Sequence, residues 1–169
     1  MEPIYSNSCK YTMENLMESS AATMPKWYKP YCYAFCAVFL ALAVYGFVKG
    51  SLMGILFLIF AAVIMVVYWR KTVASARTVY KHNMEKYGQE TETRIFFYDD
   101  SIVGKNLQSG SAVTTEYDKV QSIIETKNLF ILKMSINMVI LVDKNGFIGN
   151  NGADFADFIK GKCPNARKK

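Results

Sequence analysis

Two uncharged apolar runs, residues 31–48 (YCYAFCAVFLALAVYGFV) and 52–69 (LMGILFLIFAAVIMVVYW), constrain this chain more than any other feature. Neither eighteen-residue run holds an Asp, Glu, Lys or Arg, and only Lys49-Gly50-Ser51 separates them. At about 1.5 Å per residue an eighteen-residue helix reaches roughly 27 Å, close to the hydrocarbon thickness of a bilayer. So short a spacer obliges the helices to run antiparallel, which makes the pair a transmembrane hairpin. The competing reading is a buried helical hairpin in a soluble protein. It fails on periodicity, because neither run has a polar face and too little chain remains to cover both all round.

The net charge of +6 is unevenly placed. Residues 1–30 balance Lys10, Lys26 and Lys29 against Glu2, Glu14 and Glu18. Residues 70–87 carry Arg70, Lys71, Arg77, Lys81 and Lys86 against Glu85 alone, so most of the excess lies directly after the second run. The portion from residue 88 onward is nearly neutral, which argues against nucleic acid, since a phosphate-binding domain needs its own basic surface. The pattern is instead positive-inside: Lys26 and Lys29 precede the first span, and Arg70 and Lys71 follow the second. Both termini are therefore expected in the cytoplasm. Trp27, Tyr28 and Tyr31 on one span and Tyr68 and Trp69 on the other would form an interfacial belt on that side. The mean hydropathy of +0.09 hides all this by averaging.

The polar first thirty residues and the long first run do not have the form of a secretory signal. Cys9, Cys32, Cys36 and Cys163 make no framework; Cys32 and Cys36, one helical turn apart, suit packing within the span. With His82 the only histidine, no cofactor or metal site is expected.

Ahead of the hairpin, residues 4–11 suit a short strand, and Thr12 can cap a helix over 13–20 that ends before Pro25 and Pro30. The alternative for residues 1–24 is a disordered tail. Within the hairpin, Ala37, Ala41, Gly54, Ala61 and Ala62 are small enough for close helix contact, inside one copy or between copies. After Trp69 nothing breaks a helix before Gly88, so the second span should continue as a basic juxtamembrane helix over 70–88. Val73, Ala76, Tyr80, Met84 and Tyr87 give it an apolar stripe. Arg70, Lys71, Arg77 and Lys81, with Lys26 and Lys29, are candidate lipid-headgroup contacts, each worth on the order of 1 kcal/mol near an anionic surface. A plain topological anchor with a solvated face is the equal alternative.

From residue 90 the texture is β: short β-branched and aromatic runs at 92–98, 101–107, 112–117, 120–126, 129–134 and 138–143, joined by turns such as Asp99-Asp100, Lys127-Asn128 and Lys144-Asn145-Gly146. This reads as an antiparallel meander. An amphipathic helix over 154–162, capped by Asn151 or Asp154, turns Phe155, Phe158 and Ile159 inward to close it, and residues 165–169 read as a tail.

TETRIFFYDDSIV (91–103), EYDKVQSIIETKNLFIL (116–132) and VDKNGFIGNNGADFADFIKG (142–161), together with the two-span layout, resemble the YcxB-like bacterial membrane proteins. The resemblance implies an α+β membrane protein in which an antiparallel two-helix transmembrane hairpin (31–69) carries a cytoplasmic, pleckstrin-homology (PH)-like, small antiparallel β-sheet closed by a C-terminal helix (89–164). It also implies the bacterial inner membrane, and it allows the strand at 4–11 of the N-terminal segment (1–30) to pair with an edge of that sheet. It supplies no catalytic residues.

The expected function is a non-enzymatic, membrane-anchored interaction or scaffold module, with the bilayer and a protein as partners. The alternative is a subunit of a transporter or channel-like assembly, including a homo-oligomer, formed through the hairpin. An enzyme acting at the membrane surface is a remote third reading, since it needs a nucleophile with a base or paired carboxylates. Asp99-Asp100 reads most simply as a hairpin turn, His82 lies on an extended helix without an evident partner, and Cys163 sits near the terminus.

Overall fold

The computed structural model describes residues 2–25, 27–135, 138–149 and 152–168. In chain order these form β1 (Tyr5–Lys10), α1 (Met13–Thr23), α2 (Tyr28–Val48), α3 (Met53–Tyr87), β2 (Glu92–Phe97), β3 (Ser101–Asn106), β4 (Ala112–Glu116), β5 (Ser122–Glu125), β6 (Leu129–Lys133), β7 (Val139–Asp143), α4 (Phe155–Lys162) and β8 (Arg167–Lys168).

α2 and α3 are long and apolar enough to cross a membrane, and only 11% of the most apolar stretch of each is buried. A core helix of a soluble protein would be mostly covered, whereas here Val44, Leu52 and Trp69 stand open. The contact between the two helices runs through Ala43, Gly46, Gly54 and Ala61, all buried. A Cβ on Gly46 would lie 2.8 Å from the Gly54 backbone nitrogen, so glycine is what lets the helices close at the turn. Ala37, Ala41 and Ala62, expected among the contact residues, are exposed instead. Eighteen-residue runs with no polar face cannot say which small residues look inward. Pro30, expected to break the chain ahead of the span, sits in the first turn of α2, where a missing N–H costs no helical hydrogen bond. α3 runs unbroken to Gly88, whose left-handed φ of 69° and N–H to the Met84 carbonyl (2.9 Å) end it.

The strand positions match those read from the sequence within two residues, but the single small sheet does not. There are two four-stranded sheets, ordered β1-β2-β3-β4 and β7-β6-β5-β8. The chain changes sheet at a 3-10 turn, Tyr117–Lys119. There the buried Tyr117 donates its hydroxyl to the Tyr98 carbonyl (2.6 Å) and sets its ring edge-on to Phe158. Residues 165–169 are not simply a tail, because Arg167–Lys168 pairs in parallel with β5.

β1 pairs with β2 across its whole length, from Tyr5 opposite Phe97 to Lys10 opposite Glu92. Its other edge meets the connection after β7. The Ser8 N–H donates to the Gly146 carbonyl (2.8 Å) and the Ile148 N–H to the Ser6 carbonyl (2.8 Å). The fully buried Asn7 side chain donates to the Asp143 carbonyl (2.7 Å) and accepts from the Asp143 N–H (3.1 Å), which satisfies its amide as a strand backbone would. A Cβ at Gly146 would collide with the Ser8 carbonyl, so this approach requires glycine.

β5 and β6 each hold an unbroken buried run, Ser122-Ile123-Ile124 and Leu129-Phe130-Ile131-Leu132, as strands covered on both faces must. One face packs Ile123, Phe130, Leu132 and Val142 against Phe155 and Ile159 of α4. Phe155 is the hub, with ring centroids 4.8 Å from Phe97, 4.9 Å from Phe147, 5.4 Å from Phe130 and 5.5 Å from Tyr5. The inward turn of Phe155, Phe158 and Ile159 is as expected. Asp154 does occupy the N-cap of α4, but its side chain makes no capping bond; Asn151 lies outside the described residues. The opposite face packs Ile124, Leu129, Ile131 and Leu141 against Cys9, with Tyr11 and Ala22 over them. The segment before the hairpin thus covers half of the second sheet. Uncovering it re-exposes several side chains at about 1.5–3 kcal/mol each.

Residues 90–168 produced without 2–24 should therefore lack a cooperative denaturant transition, and a synthetic peptide of residues 2–24 should restore it. A sharp unfolding transition of 90–168 alone would show that β1 is dispensable.

Candidate functional site

The residues with a plausible surface role gather where α3 leaves its apolar stretch, and α1 brings them together. Thr12 caps α1 as the sequence suggests, its hydroxyl accepting from the Asn15 N–H (3.2 Å). The helix then runs three residues beyond the expected Ser20. One side of α1 lies along α3, where Ala76 is completely buried. Its other side faces the β5–β6 turn. There the Glu18 carboxylate accepts from the Asn128 N–H (2.8 Å) and the Asn128 side-chain amide (2.9 Å).

Between α1 and α3 a groove of about 550 Å³ remains, lined by Met13, Met17, Trp69, Arg70, Val73, Ala74 and Arg77. Arg70 and Arg77 are seven residues apart, two turns of one helix face, or roughly 10.5 Å along the axis. Both are exposed, and among the described residues neither has a hydrogen-bond or ion-pair partner.

The six basic residues singled out from the sequence therefore separate. Arg70 and Arg77 share the groove. Lys71 points elsewhere, with its ammonium 4.5 Å from the centre of the Tyr28 ring. Lys81 is 3.5 Å from Glu85 in an exposed pair, Lys29 is exposed on the first turn of α2, and Lys26 lies outside the described residues. Met13 and Met17 are the groove residues that sequence reasoning missed. Their spacing on an amphipathic α1, with Leu16 between them, was the available signal, but nothing in one chain says which helix such a face will meet.

The Asp99-Asp100 turn joins β2 to β3, and Lys162 of α4 donates to the Asp99 carbonyl (2.8 Å) and carboxylate, pinning the end of that helix. His82 is exposed on α3. Cys9 and Cys163 are buried, which pushes their thiols up to about 12 and about 11 and leaves them inert at neutral pH. Among the described residues no group of three His, Cys, Asp or Glu side chains could hold a metal ion.

Desolvation alone would raise the Glu18 carboxyl. The hydrogen bonds donated by the Asn128 backbone, by the Thr126 and Asn128 side chains and by the Leu129 backbone outweigh it and lower the pKa below 4.5. A carboxyl lowered on folding adds stability that is complete above its ordinary pKa and drains away as pH falls through the lowered value. Glu18→Ala should therefore cost about 1–2 kcal/mol at neutral pH. The gap between the two proteins should close in acid, well below pH 4.5, as read by denaturant titration across pH. A gap independent of pH would mean that the hydrogen bonds to Asn128 do not hold α1 in place.

No curated protein and no solved structure matches the chain. The family match begins after the hairpin and so leaves out β1, an edge strand of the first sheet, and α1, although the segment that holds them covers one face of the second. Residues 90–160, from just ahead of β2 into α4, match the family model described as YcxB-like protein, and that stretch is what the chain shares with the YcxB-like family.

Proposed function

We propose that this protein is a two-span membrane protein that holds a non-enzymatic, PH-like interaction domain against the cytoplasmic face of the bacterial inner membrane. The observation that carries this reading is the pairing of β1 with β2. One strand precedes the hairpin and the other follows it, so both must lie on the same side of any membrane that α2 and α3 cross. The basic side chains beside that end of the hairpin make the cytoplasm the favoured side. Two packed sheets with a C-terminal helix support the PH-like reading, and the open apolar surfaces of α2 and α3 support membrane insertion.

The partner surface in this reading is the outer edge of β4, which has no neighbouring strand among the described residues. Ala112, Val113 and Thr114 are exposed along it. From the bond between Asn106 N–H and the Ser111 carbonyl (2.9 Å), ladder alternation turns the N–H groups of residues 112, 114 and 116 outward. An extended peptide can add there as a further strand. The second reading, assembly of several copies through the hairpin, is favoured by the outward placement of Ala37 and Ala41 on one face of α2.

A reporter fused after Lys169 should be active only in the cytoplasm; activity on the far side would sink the orientation. Affinity capture of the full chain from its native membrane should retain a protein that is lost with Thr114→Pro, which removes an outward N–H without touching a ladder bond. Self-association that persists in Thr114→Pro and fails with Ala41→Phe would favour hairpin assembly instead.

A further inference from the structure

We propose that the groove between α1 and α3 is a binding site for one anionic glycerophospholipid, with its phosphate held by Arg70 and Arg77. The proposal rests on the membrane reading above and adds to it a ligand class and two residues. Its first support is place. Trp69 and Arg70 stand where the apolar part of α3 ends, and Arg77 lies two turns farther on, so the groove begins at the level of lipid headgroups.

Charge is the second support. The exposed lysines nearby are already engaged, Lys71 by Tyr28 and Lys81 by Glu85, whereas the two arginines are not. Guanidinium groups match phosphate oxygens in a bidentate fork, which an ammonium cannot do. The acidic side chains of α1 do not oppose them, for Glu18 is turned to Asn128 and Glu14 is not among the groove walls.

The walls supply the third support. Met13, Met17, Val73 and Ala74 flank the arginines with apolar surface, and methionine adapts to a flexible chain. A small inorganic anion would leave those walls wet, whereas the glycerol and first acyl segments of a phospholipid cover them. Because α1 is both a wall of the groove and the element tied to the β5–β6 turn, a lipid seated there also braces the β domain against α3.

The test uses the full chain in phosphatidylcholine nanodiscs containing a minor fraction of phosphatidylglycerol, with the lipids that remain bound on gentle release counted by native mass spectrometry. Wild-type protein should retain phosphatidylglycerol over phosphatidylcholine. Arg70→Gln or Arg77→Gln should lower that preference about fivefold each, and the pair should abolish it. Lys29→Gln/Lys71→Gln/Lys81→Gln should leave it intact. Met17→Trp, which fills the groove and spares every charge, should expel the lipid, and millimolar inorganic phosphate should not compete. An equal loss in the lysine variant, or retention in the double arginine variant, would overturn the site in favour of diffuse attraction. Displacement by inorganic phosphate would make the groove a plain anion site and overturn the lipid assignment. Failure of the chain to enter nanodiscs would overturn the membrane reading itself, a result distinct from entry without lipid preference.

Discussion

β1 is held along both of its edges, and the rest of the molecule is arranged around that fact. On one side it completes the ladder with β2; on the other, Ser6, Asn7 and Ser8 bond to the chain between Asp143 and Ile148. A strand bonded on one edge only would join a single sheet. Bonded on both, it ties the first sheet to the end of the second and closes that side of the domain. Backbone groups buried at such a seam must find partners, because an unsatisfied buried amide costs about 1–3 kcal/mol. Asn7 and Gly146 meet that requirement in opposite ways, one by supplying a side-chain amide and the other by supplying no side chain at all.

The same strand makes the hairpin an insertion within the β domain rather than an anchor appended to it. α2 and α3 leave and return between two hydrogen-bonded neighbours, β1 and β2. Any displacement of the hairpin relative to the sheets must therefore be absorbed in the short segments flanking it or in α1. α1 is fixed on two sides, to α3 along its length and to Asn128 through Glu18. The domain is thereby oriented relative to the two apolar helices, which a flexible linker would not achieve.

Much of this could be read from the residues alone. Strand positions, the Thr12 cap, the unbroken run to Gly88 and the inward face of α4 follow from local rules of periodicity, capping and turn chemistry, and these operate within a few residues. The sheet count did not follow. Whether β4 and β5 pair depends on the Tyr117 corner, where the ring must find Phe158 and the hydroxyl must find Tyr98. The continuous apolar runs in β5 and β6 did signal burial on both faces, although the meander reading used them only as strands. Of the candidate site, the charges were visible but the sorting was not: six basic residues look alike until Tyr28, Glu85 and α1 are placed beside them.

The sequence by itself determined the two apolar helices and their antiparallel sense, the charge asymmetry beside them, and, within two residues, the order and bounds of β1 to β7. Each depends on composition and spacing along a single segment. Only the tertiary structure decided that β1 bonds on both edges, that the sheet is two sheets, that Arg167–Lys168 joins β5, and that Arg70 and Arg77 share a groove with Met13 and Met17. The physical reason is the same throughout. Those facts concern segments far apart in the chain, and what brings them together is the burial of apolar faces and the satisfaction of backbone groups in three dimensions, for which no local pattern exists.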